Sequence, residues 1–187
     1  GHIRPVQEAR DQLGLDEVIF LPTAVPPHKP GRQFAPPHAR YTMVELALLR
    51  EEGLGVSPFE LRPDQPCYSI ETLRHFHREK PDAELYLLLG SDGFEELNTW
   101  REWKEIVRLS RLAVLTRPGR ELDDIHQHLP AELADLTTSN RVHFVRNEAV
   151  DVSATEIRSQ LARGGKLPAD AVPDLVLEYI RKYSLYQ

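Results

Sequence analysis

The chain has 187 residues, of which 41% are hydrophobic and 28% are charged, and its formal net charge is −6. This length and composition are typical of one soluble α/β domain with room for a sizeable core. The negative charge argues against a protein whose main role is to coat nucleic acid. No run approaches the ~20 apolar residues that span a bilayer, and no signal peptide is visible. We therefore expect a cytoplasmic protein without a nucleic-acid or membrane partner.

Cysteine and histidine usage gives no sign of a metal site built by the protein alone. The single cysteine, Cys67, excludes an intrachain disulfide and a cysteine-rich metal site, and we expect it to be a small buried hydrophobe. The eight histidines show no metal-ligand spacing. His75 and His77 would point in different directions on a helix, so both are predicted at the surface.

Strands and helices are predicted to alternate along the chain. Apolar periodicity, β-branched runs and Pro or Gly breaks give the boundaries. In chain order the prediction is a helix at 2–13, a strand at 17–21, a Pro-rich loop at 22–37, a helix at 39–52, a strand at 56–61, a helix at 69–80, a strand at 85–89, a helix at 100–109, a strand at 112–116, a polar segment at 122–136 that is either irregular or a loose helix, a strand at 142–145, and helices starting near 155 and 173.

This alternation predicts a doubly wound, mainly parallel sheet with C-terminal helices, within one domain over residues 1–187. Ligands of such sheets bind beyond the carboxyl ends of the strands. The loops after Leu21, Leu89 and Val145 are predicted at those ends. Neither the GxGxxG fingerprint nor the Walker pattern occurs, so the sequence does not support dinucleotide oxidoreduction.

The run from Asp151 to Arg158 predicts an anion site. Ser153 is a good N-cap, and Glu156 follows at the capping-box spacing. The unpaired N–H groups of a first helical turn attract anions, and Arg158, one turn in, adds a charged fork. A capped helix with an ordinary surface arginine is the simpler interpretation of this run alone.

Several further segments join this run in one ordered set. They are residues 1–4 (Gly-His-Ile-Arg), 25–29 (Val-Pro-Pro-His-Lys), 67–72 (Cys-Tyr-Ser-Ile-Glu-Thr), 89–92 (Leu-Gly-Ser-Asp), 98–100 (Asn-Thr-Trp) with Trp103, 116–119 (Thr-Arg-Pro-Gly), and the tail 179–186. The set resembles the bacterial nicotinate mononucleotide adenylyltransferases, within the nucleotidyltransferase superfamily of the HxGH type. The resemblance covers nearly the whole chain and implies a Rossmann-like nucleotidyltransferase fold.

One part of the family pattern lies outside this sequence. In the family, a strand and a Gly-Gly-Thr-Phe-Asp-Pro-x-His loop precede an x-Gly-His segment. This chain starts at the Gly-His of that segment. The resemblance therefore implies a strand, a phosphate loop and a further histidine ahead of Gly1. Without them, we expect the 187 residues to fold but to be a poor catalyst.

The reaction implied by the resemblance is adenylyl transfer from ATP to nicotinate mononucleotide, giving nicotinate adenine dinucleotide and pyrophosphate in NAD biosynthesis. Mg²⁺ would accompany ATP. The attacking phosphate is already anionic, so positioning and charge neutralisation should account for catalysis without a strong general base.

The resemblance assigns roles to particular residues. His2 and Arg158 would be catalytic, and ATP would be bound by His2, Ser153, Thr155, Arg158 and Arg117. The pyridine nucleotide would be bound by His28, Lys29, Thr72, Asp92 and Trp100. Trp100 would stack on the pyridine ring while Trp103 belongs to the core. The simpler alternatives are an N-cap role for Asp92 and a core role for Trp100.

Other functions remain open at this point. An amide-preferring nicotinamide mononucleotide adenylyltransferase and a phosphopantetheine adenylyltransferase belong to the same superfamily. A non-catalytic nucleotide-binding module is a further alternative. The sequence gives no indication of acid against amide preference, of oligomeric state or of regulation.

Overall fold

The computed structural model describes residues 3–24, 34–62, 67–116, 129–147, 153–168 and 171–186. The chain forms two compact units. The first contains Gly1–Arg4, Leu15–Pro66 and Val150–Gln187, and the second contains Pro5–Gly14 and Cys67–Ala149. The prediction of one domain over residues 1–187 stays a prediction.

The described helices and strands alternate as the sequence predicts. In chain order they are α1 (Ile3–Leu13), β1 (Val18–Phe20), α2 (Pro37–Leu48), β2 (Leu54–Val56), α3 (Ser69–Glu79), β3 (Tyr86–Gly90), α4 (Ser91–Glu95), a 3₁₀ turn (Leu97–Thr99), α5 (Trp103–Leu109), β4 (Arg111–Thr116), α6 (Ala131–Thr137), β5 (Val142–Arg146), α7 (Ala154–Ala162) and α8 (Asp174–Lys182).

The first unit contains a parallel pair of strands. Strand β1 pairs with β2, with Ile19 opposite Gly55, and helix α2 packs against both β2 and α8. The predicted strand at 56–61 is largely misplaced, because the strand runs from Leu54 to Val56. Pro58 follows and cannot donate to a sheet, and Leu61 N–H closes a turn on the Pro58 carbonyl at 2.9 Å.

Helix α2 starts and ends earlier than the predicted 39–52. Pro37 occupies its first turn, where the missing N–H would have no helical partner. At the other end, the Glu51 N–H bonds to the Leu48 carbonyl in a turn, and Gly53 has a φ of 71°. Gly53 adopts this left-handed conformation without a Cβ clash, so the chain turns directly into β2.

The second unit contains a three-stranded parallel sheet in the order β3-β4-β5. Leu88 pairs with Ala113, which pairs with His143. Side chains of β3 alternate between two core clusters: Leu87 and Leu89 pack in one, and Tyr86 and Leu88 in the other. Both faces of this sheet are therefore covered, as a doubly wound fold requires.

The larger cluster joins α3, α5 and the segment after β3 to the sheet. Its fully buried members include Ile70, Phe94, Leu97, Ile106 and Leu112. Phe94 meets Phe144 edge to face, with ring centroids 5.8 Å apart, in the geometry that aromatic pairs favour. On the opposite face, Ala9 of α1 packs on Ala113 and Val145. Its small side chain permits close approach of helix and sheet.

The segment from 91 to 102 differs from its prediction. Helix α4 and the 3₁₀ turn were not expected, and α5 starts at Trp103 rather than at residue 100. Glu102, immediately before α5, has a φ of 54°, so the chain turns sharply between the two helical pieces. None of the helices in the described ranges is long and apolar enough to span a membrane.

Candidate active site

The start of helix α7 has the capped geometry that its sequence predicts. Ser153 is the N-cap in an extended conformation, with φ −87° and ψ 119°, and its Oγ accepts a hydrogen bond of 3.4 Å from the Glu156 N–H. Ser153, Thr155 and Glu156 are exposed. The first-turn N–H groups have no carbonyl one turn earlier, so this exposed turn can bind an anion.

Arg158 lies on the same side of this turn as Thr155. Its Nη2 donates to Thr155 Oγ1 at 3.4 Å, and its guanidinium lies 6.0 Å from the centroid of the Phe34 ring. The side chain is half-buried. The aromatic contact limits the orientations of the guanidinium, so the cation is held near the capped turn.

Arg40, on α2, contacts the same phenylalanine and was not predicted as a site residue. Its guanidinium donates to the carbonyls of Thr23 (2.5 Å), Ala24 (3.0 Å) and Ala35 (3.2 Å), and it lies 6.0 Å from the Phe34 centroid. These bonds join the segment after β1 to the segment before α2. One feature of the sequence could have identified Arg40 as a residue with distant partners. The residues three and four positions before and after it are proline or apolar, so Arg40 cannot form an ion pair within its own helix.

Tyr186 completes this cluster at the end of the chain. The side chain is half-buried, and burial raises the pKa of its phenol, while the cations of Arg158 and Arg40 and a hydrogen bond with the Ala35 backbone oppose the shift. Burial lowers the pKa of Arg40, with Tyr186 opposing. Four residues, Phe34, Arg40, Arg158 and Tyr186, together form the Arg40 cluster.

Two cavities flank helix α7. One of about 310 Å³ is lined by Ser153, Glu156, Gln160 and Lys166, among others, and so touches the capped turn. Lys166 was not predicted, but its ammonium is a further cation for an anion bound there. The other cavity, about 720 Å³, lies between α7 and α8, and none of the predicted site residues that the structure describes lines it.

In the second unit, Asp92 follows the carboxyl end of β3. It lies in the first turn of α4 and is exposed, as a residue that meets a ligand should be. The N-cap of α4 is Gly90, so the alternative that assigned Asp92 to this cap is wrong. The position agrees with the general rule that ligands bind at the carboxyl ends of parallel strands.

Trp100 directly follows the 3₁₀ turn. Both Trp100 and Trp103 are half-buried and pack against the larger core cluster. The degree of burial therefore does not distinguish a stacking Trp100 from a core Trp103. Trp100 keeps an exposed part that a ring could meet, and its role as a stacking platform stays a prediction.

Thr72 is only 7% exposed, in the first turns of α3. Its N–H bonds to the Tyr68 carbonyl at 3.3 Å, and its Oγ1 lies 3.6 Å from Cys67 Sγ. Thr72 therefore orders the start of α3, and its role toward a substrate stays a prediction. Cys67 is half-buried rather than the small buried hydrophobe that we expected, and its thiol lies against this hydroxyl.

The remaining predicted site residues, His2, His28, Lys29 and Arg117, lie outside the described residues. Of the two histidines expected at the surface, His77 is exposed and His75 is half-buried, 3.4 Å from Glu79. Among the residues that the structure describes, no group of three His, Cys, Asp or Glu side chains could hold a metal ion.

Comparison with known proteins decides the family. The cytidylyltransferase-like family profile matches residues 1–160. A probable nicotinate-nucleotide adenylyltransferase from Pelobacter propionicus is 37% identical across all of this chain and 91% of its own length. The chain belongs to the nicotinate-nucleotide adenylyltransferase family. It is therefore a nucleotidyltransferase. A relative of the same name from Aeromonas hydrophila is also 37% identical, with 91% of its length covered.

Solved structures confirm the fold of this nucleotidyltransferase. Plasmodium falciparum nicotinic acid mononucleotide adenylyltransferase complexed with NaAD matches with a TM-score of 0.69 at 16% identity, over 97% of this chain and 90% of the other. The same enzyme complexed with APC matches with a TM-score of 0.67 over equal shares. The predicted Rossmann-like nucleotidyltransferase fold is confirmed.

Proposed function

We propose that this nucleotidyltransferase transfers the adenylyl group of ATP to nicotinate mononucleotide, in the cytoplasm, as a step of NAD biosynthesis. The observation that carries the proposal is the 37% identity to a nicotinate-nucleotide adenylyltransferase across the entire chain. The capped anion site at α7 supports it, because a triphosphate needs N–H groups and cations together.

The reaction is a displacement at phosphorus. A phosphate oxygen of nicotinate mononucleotide attacks the α-phosphorus of ATP, the bond from that phosphorus to the bridging oxygen breaks, and pyrophosphate leaves with the bonding electrons. The nucleophile is anionic at neutral pH. The protein's contribution is to align the two phosphates and to neutralise charge on the leaving group.

We assign the triphosphate to the start of α7. The N–H groups after Ser153 would bind phosphate oxygens, and Thr155 and Arg158 would contact the β- and γ-phosphates. The Arg158 contact with Phe34 supports this role, because a cation held in place loses less entropy on binding an anion. His2 and Arg117, the other predicted ATP ligands, lie outside the described residues and stay predictions.

We assign the pyridine nucleotide to the second unit. The pyridine ring would stack on Trp100, Thr72 would lie near the nicotinate carboxylate, and Asp92 would accept a hydrogen bond from a ribose hydroxyl. Exposed Asp92, at the end of β3, supports this assignment. His28 and Lys29, the other predicted ligands of this nucleotide, lie outside the described residues and stay predictions.

We further propose that Mg²⁺ enters with ATP. The described residues contain no dedicated cage of acidic side chains, which suits an ion carried by substrate phosphates. The ion would neutralise phosphate charge. The exposed carboxylate of Asp92 is an alternative partner for such an ion, in place of the ribose hydroxyl.

The test is a product assay with purified protein expressed from its complete gene. ATP is incubated with nicotinate mononucleotide, with its amide analogue or with phosphopantetheine, with Mg²⁺ or with excess EDTA, and the dinucleotide and pyrophosphate are quantified chromatographically. We expect nicotinate adenine dinucleotide and pyrophosphate in equal amounts, a higher kcat/KM for the acid than for the amide, and loss of activity in EDTA. Product from phosphopantetheine alone would contradict the proposal, as would ATP binding without any transfer.

A further inference from the structure

An exposed arginine lies at the junction of the two segments predicted to bind the pyridine nucleotide. Arg101 follows Trp100 directly, and its guanidinium lies 4.8 Å from the centroid of the Tyr68 ring. Tyr68 is the N-cap of α3, the helix that carries Thr72. Tyr68 is 38% exposed, so the ring is an open platform rather than a core residue.

The carboxylate nearest to Arg101 in sequence, that of Glu102, is already paired with another arginine. Arg74 donates to both oxygens of Glu102, at 2.6 Å and 3.4 Å. The hydrogen bond from Arg74 is the main reason why the pKa of the Glu102 carboxyl is lowered. Glu102 therefore compensates Arg74 first.

With the residues that the structure describes, Arg101 forms only long ion contacts. Its Nη1 is 3.9 Å from Glu71 Oε1, and its Nε is 3.8 Å from Glu102 Oε1. Both distances exceed the normal length of an N–H···O hydrogen bond. Within the described residues, the Arg101 guanidinium has no hydrogen-bond acceptor, although it is a fork of five donors.

The contact with the Tyr68 ring restrains the position of the Arg101 guanidinium. A guanidinium above an aromatic face keeps its N–H groups in the plane of the fork, where they can bind the two oxygens of a carboxylate. A carboxamide carries no charge and presents only one acceptor oxygen, together with donors that an arginine cannot accept. The arrangement therefore suits an anionic ring substituent better than a neutral one.

We propose that Arg101 is a specificity-determining residue that favours the nicotinate carboxylate over the carboxamide of the corresponding amide nucleotide. This inference rests on the proposed function, because it concerns the ring substituent of the same pyridine nucleotide. Trp100 holds the ring, and Arg101, next in the chain, supplies the charge that distinguishes acid from amide. Tyr68 orients Arg101.

The expected effect is moderate, since the guanidinium is exposed and water screens its charge. Removing the charge should lower the acid-to-amide ratio of kcat/KM by about 1.4- to 5-fold, which corresponds to the roughly 0.2–1 kcal/mol that exposed ion pairs contribute. The amide reaction should change little. High salt should reduce the ratio of the unaltered protein, because exposed charges are screened.

The experiment compares the unaltered protein with Arg101→Gln, Arg101→Lys and Arg108→Gln. Arg108 is a matched control, since it is an exposed arginine of α5 that pairs with Glu105 at 2.7 Å. Steady-state kcat/KM is measured for the acid and amide mononucleotides at saturating ATP, in 0.05 M and roughly 0.5 M KCl, a range that shortens the screening length several-fold. Thermal melts of each variant accompany the kinetics.

We expect the ratio to fall in Arg101→Gln, to be intermediate in Arg101→Lys and to be unchanged in Arg108→Gln, with equal melting temperatures. An unchanged ratio in Arg101→Gln would overturn the inference. An equal loss on both substrates would also overturn it, because it would assign Arg101 to the shared phosphate or to folding. Failure of the unaltered protein to use either pyridine nucleotide would instead contradict the proposed function.

Discussion

The guanidinium of Arg158 lies 6.0 Å from the ring centroid of Phe34. The same ring is flanked by Arg40 at an equal distance. Phe34 therefore lies beside two cations with different roles. Arg158 is proposed to bind the triphosphate, and Arg40 binds the carbonyls before and after residues 25–33. Changes in the Arg40 cluster should accordingly separate effects on ATP from effects on stability.

Arg158→Ala should weaken use of ATP with little effect on folding. A lost charge-assisted contact costs about 1.5–3 kcal/mol, which corresponds to roughly 10- to 150-fold in kcat/KM. The control is Arg163→Ala, which removes an exposed arginine at the end of the same helix. Equal ATP kinetics in the two variants would show that Arg158 does not meet the triphosphate.

Ser153→Asp should retain the helix cap but repel ATP. Aspartate caps helices about as well as serine, so the melting temperature should stay close to that of the unaltered protein. Its negative charge would face the phosphates, and we expect the KM for ATP to rise on the order of tenfold. Ser153→Ala is the comparison: it should cost about 0.5–1 kcal/mol of stability with a smaller kinetic effect. Normal ATP binding by the aspartate variant would place the triphosphate elsewhere.

Trp100→Leu should raise the KM for the pyridine nucleotide while the KM for ATP stays unchanged. Stacking of an aromatic ring on a base contributes about 1–3 kcal/mol, and leucine keeps apolar volume against the core without the ring face. Trp103→Leu is the control, because both tryptophans pack on the same core cluster. If both variants only melt at lower temperature, Trp100 is a core residue.

Arg40→Ala should destabilise the protein. The carbonyls of Thr23, Ala24 and Ala35 would lose their charged donor, at a cost of about 1.5–3 kcal/mol in urea unfolding. Arg40→Lys should recover only part of this, since an ammonium cannot replace a planar fork. Arg50→Ala, at an exposed position after α2, should have almost no effect. If Arg50→Ala lowered the unfolding free energy as much as Arg40→Ala, the carbonyl contacts of Arg40 would not account for its effect.

Stability should fall at alkaline pH in a way that depends on Tyr186. Burial raises the pKa of this phenol, so the unfolded chain releases the proton first. The stability contribution of Tyr186 is therefore complete below its ordinary pKa of about 10 and is lost as pH rises from there toward the folded pKa. Tyr186→Phe should flatten the decline of the unfolding free energy above pH ~10. Tyr183→Phe, at a side chain 55% exposed, is the control, and an equal change in both variants would contradict the prediction.

Local sequence determines several features of this protein. Ser153 and Glu156 predict the start of α7, Gly14 predicts the end of α1, and Pro81 predicts the end of α3 close to Glu79. These signals are local, because caps and breakers act within one helical turn. The ordered motifs also indicate the correct family, which the identity over the whole chain confirms.

Prediction from the sequence pattern was less accurate where tertiary packing determines the bounds of a strand or helix. The strand predicted at 56–61 lies at Leu54–Val56, because pairing with β1 decides which residues of that apolar run enter the sheet. The predicted helix from residue 100 begins only at Trp103, after a left-handed Glu102 whose carboxylate accepts two hydrogen bonds from Arg74, 28 positions earlier. Periodicity cannot show a contact over such a separation.

The same division applies to the functional side chains. Arg158, Asp92 and Trp100 were predicted as site residues from motifs, which depend on residue type and order alone. Arg40 and Arg101 were not, because their chemistry depends on partners distant in sequence: carbonyls from two separate segments for Arg40, and an aromatic ring 33 positions earlier for Arg101. Sequence determined which groups are available to bind anions. Tertiary contacts decided which of the described arginines are paired and which keep free donors, because hydrogen bonding depends on distance in space.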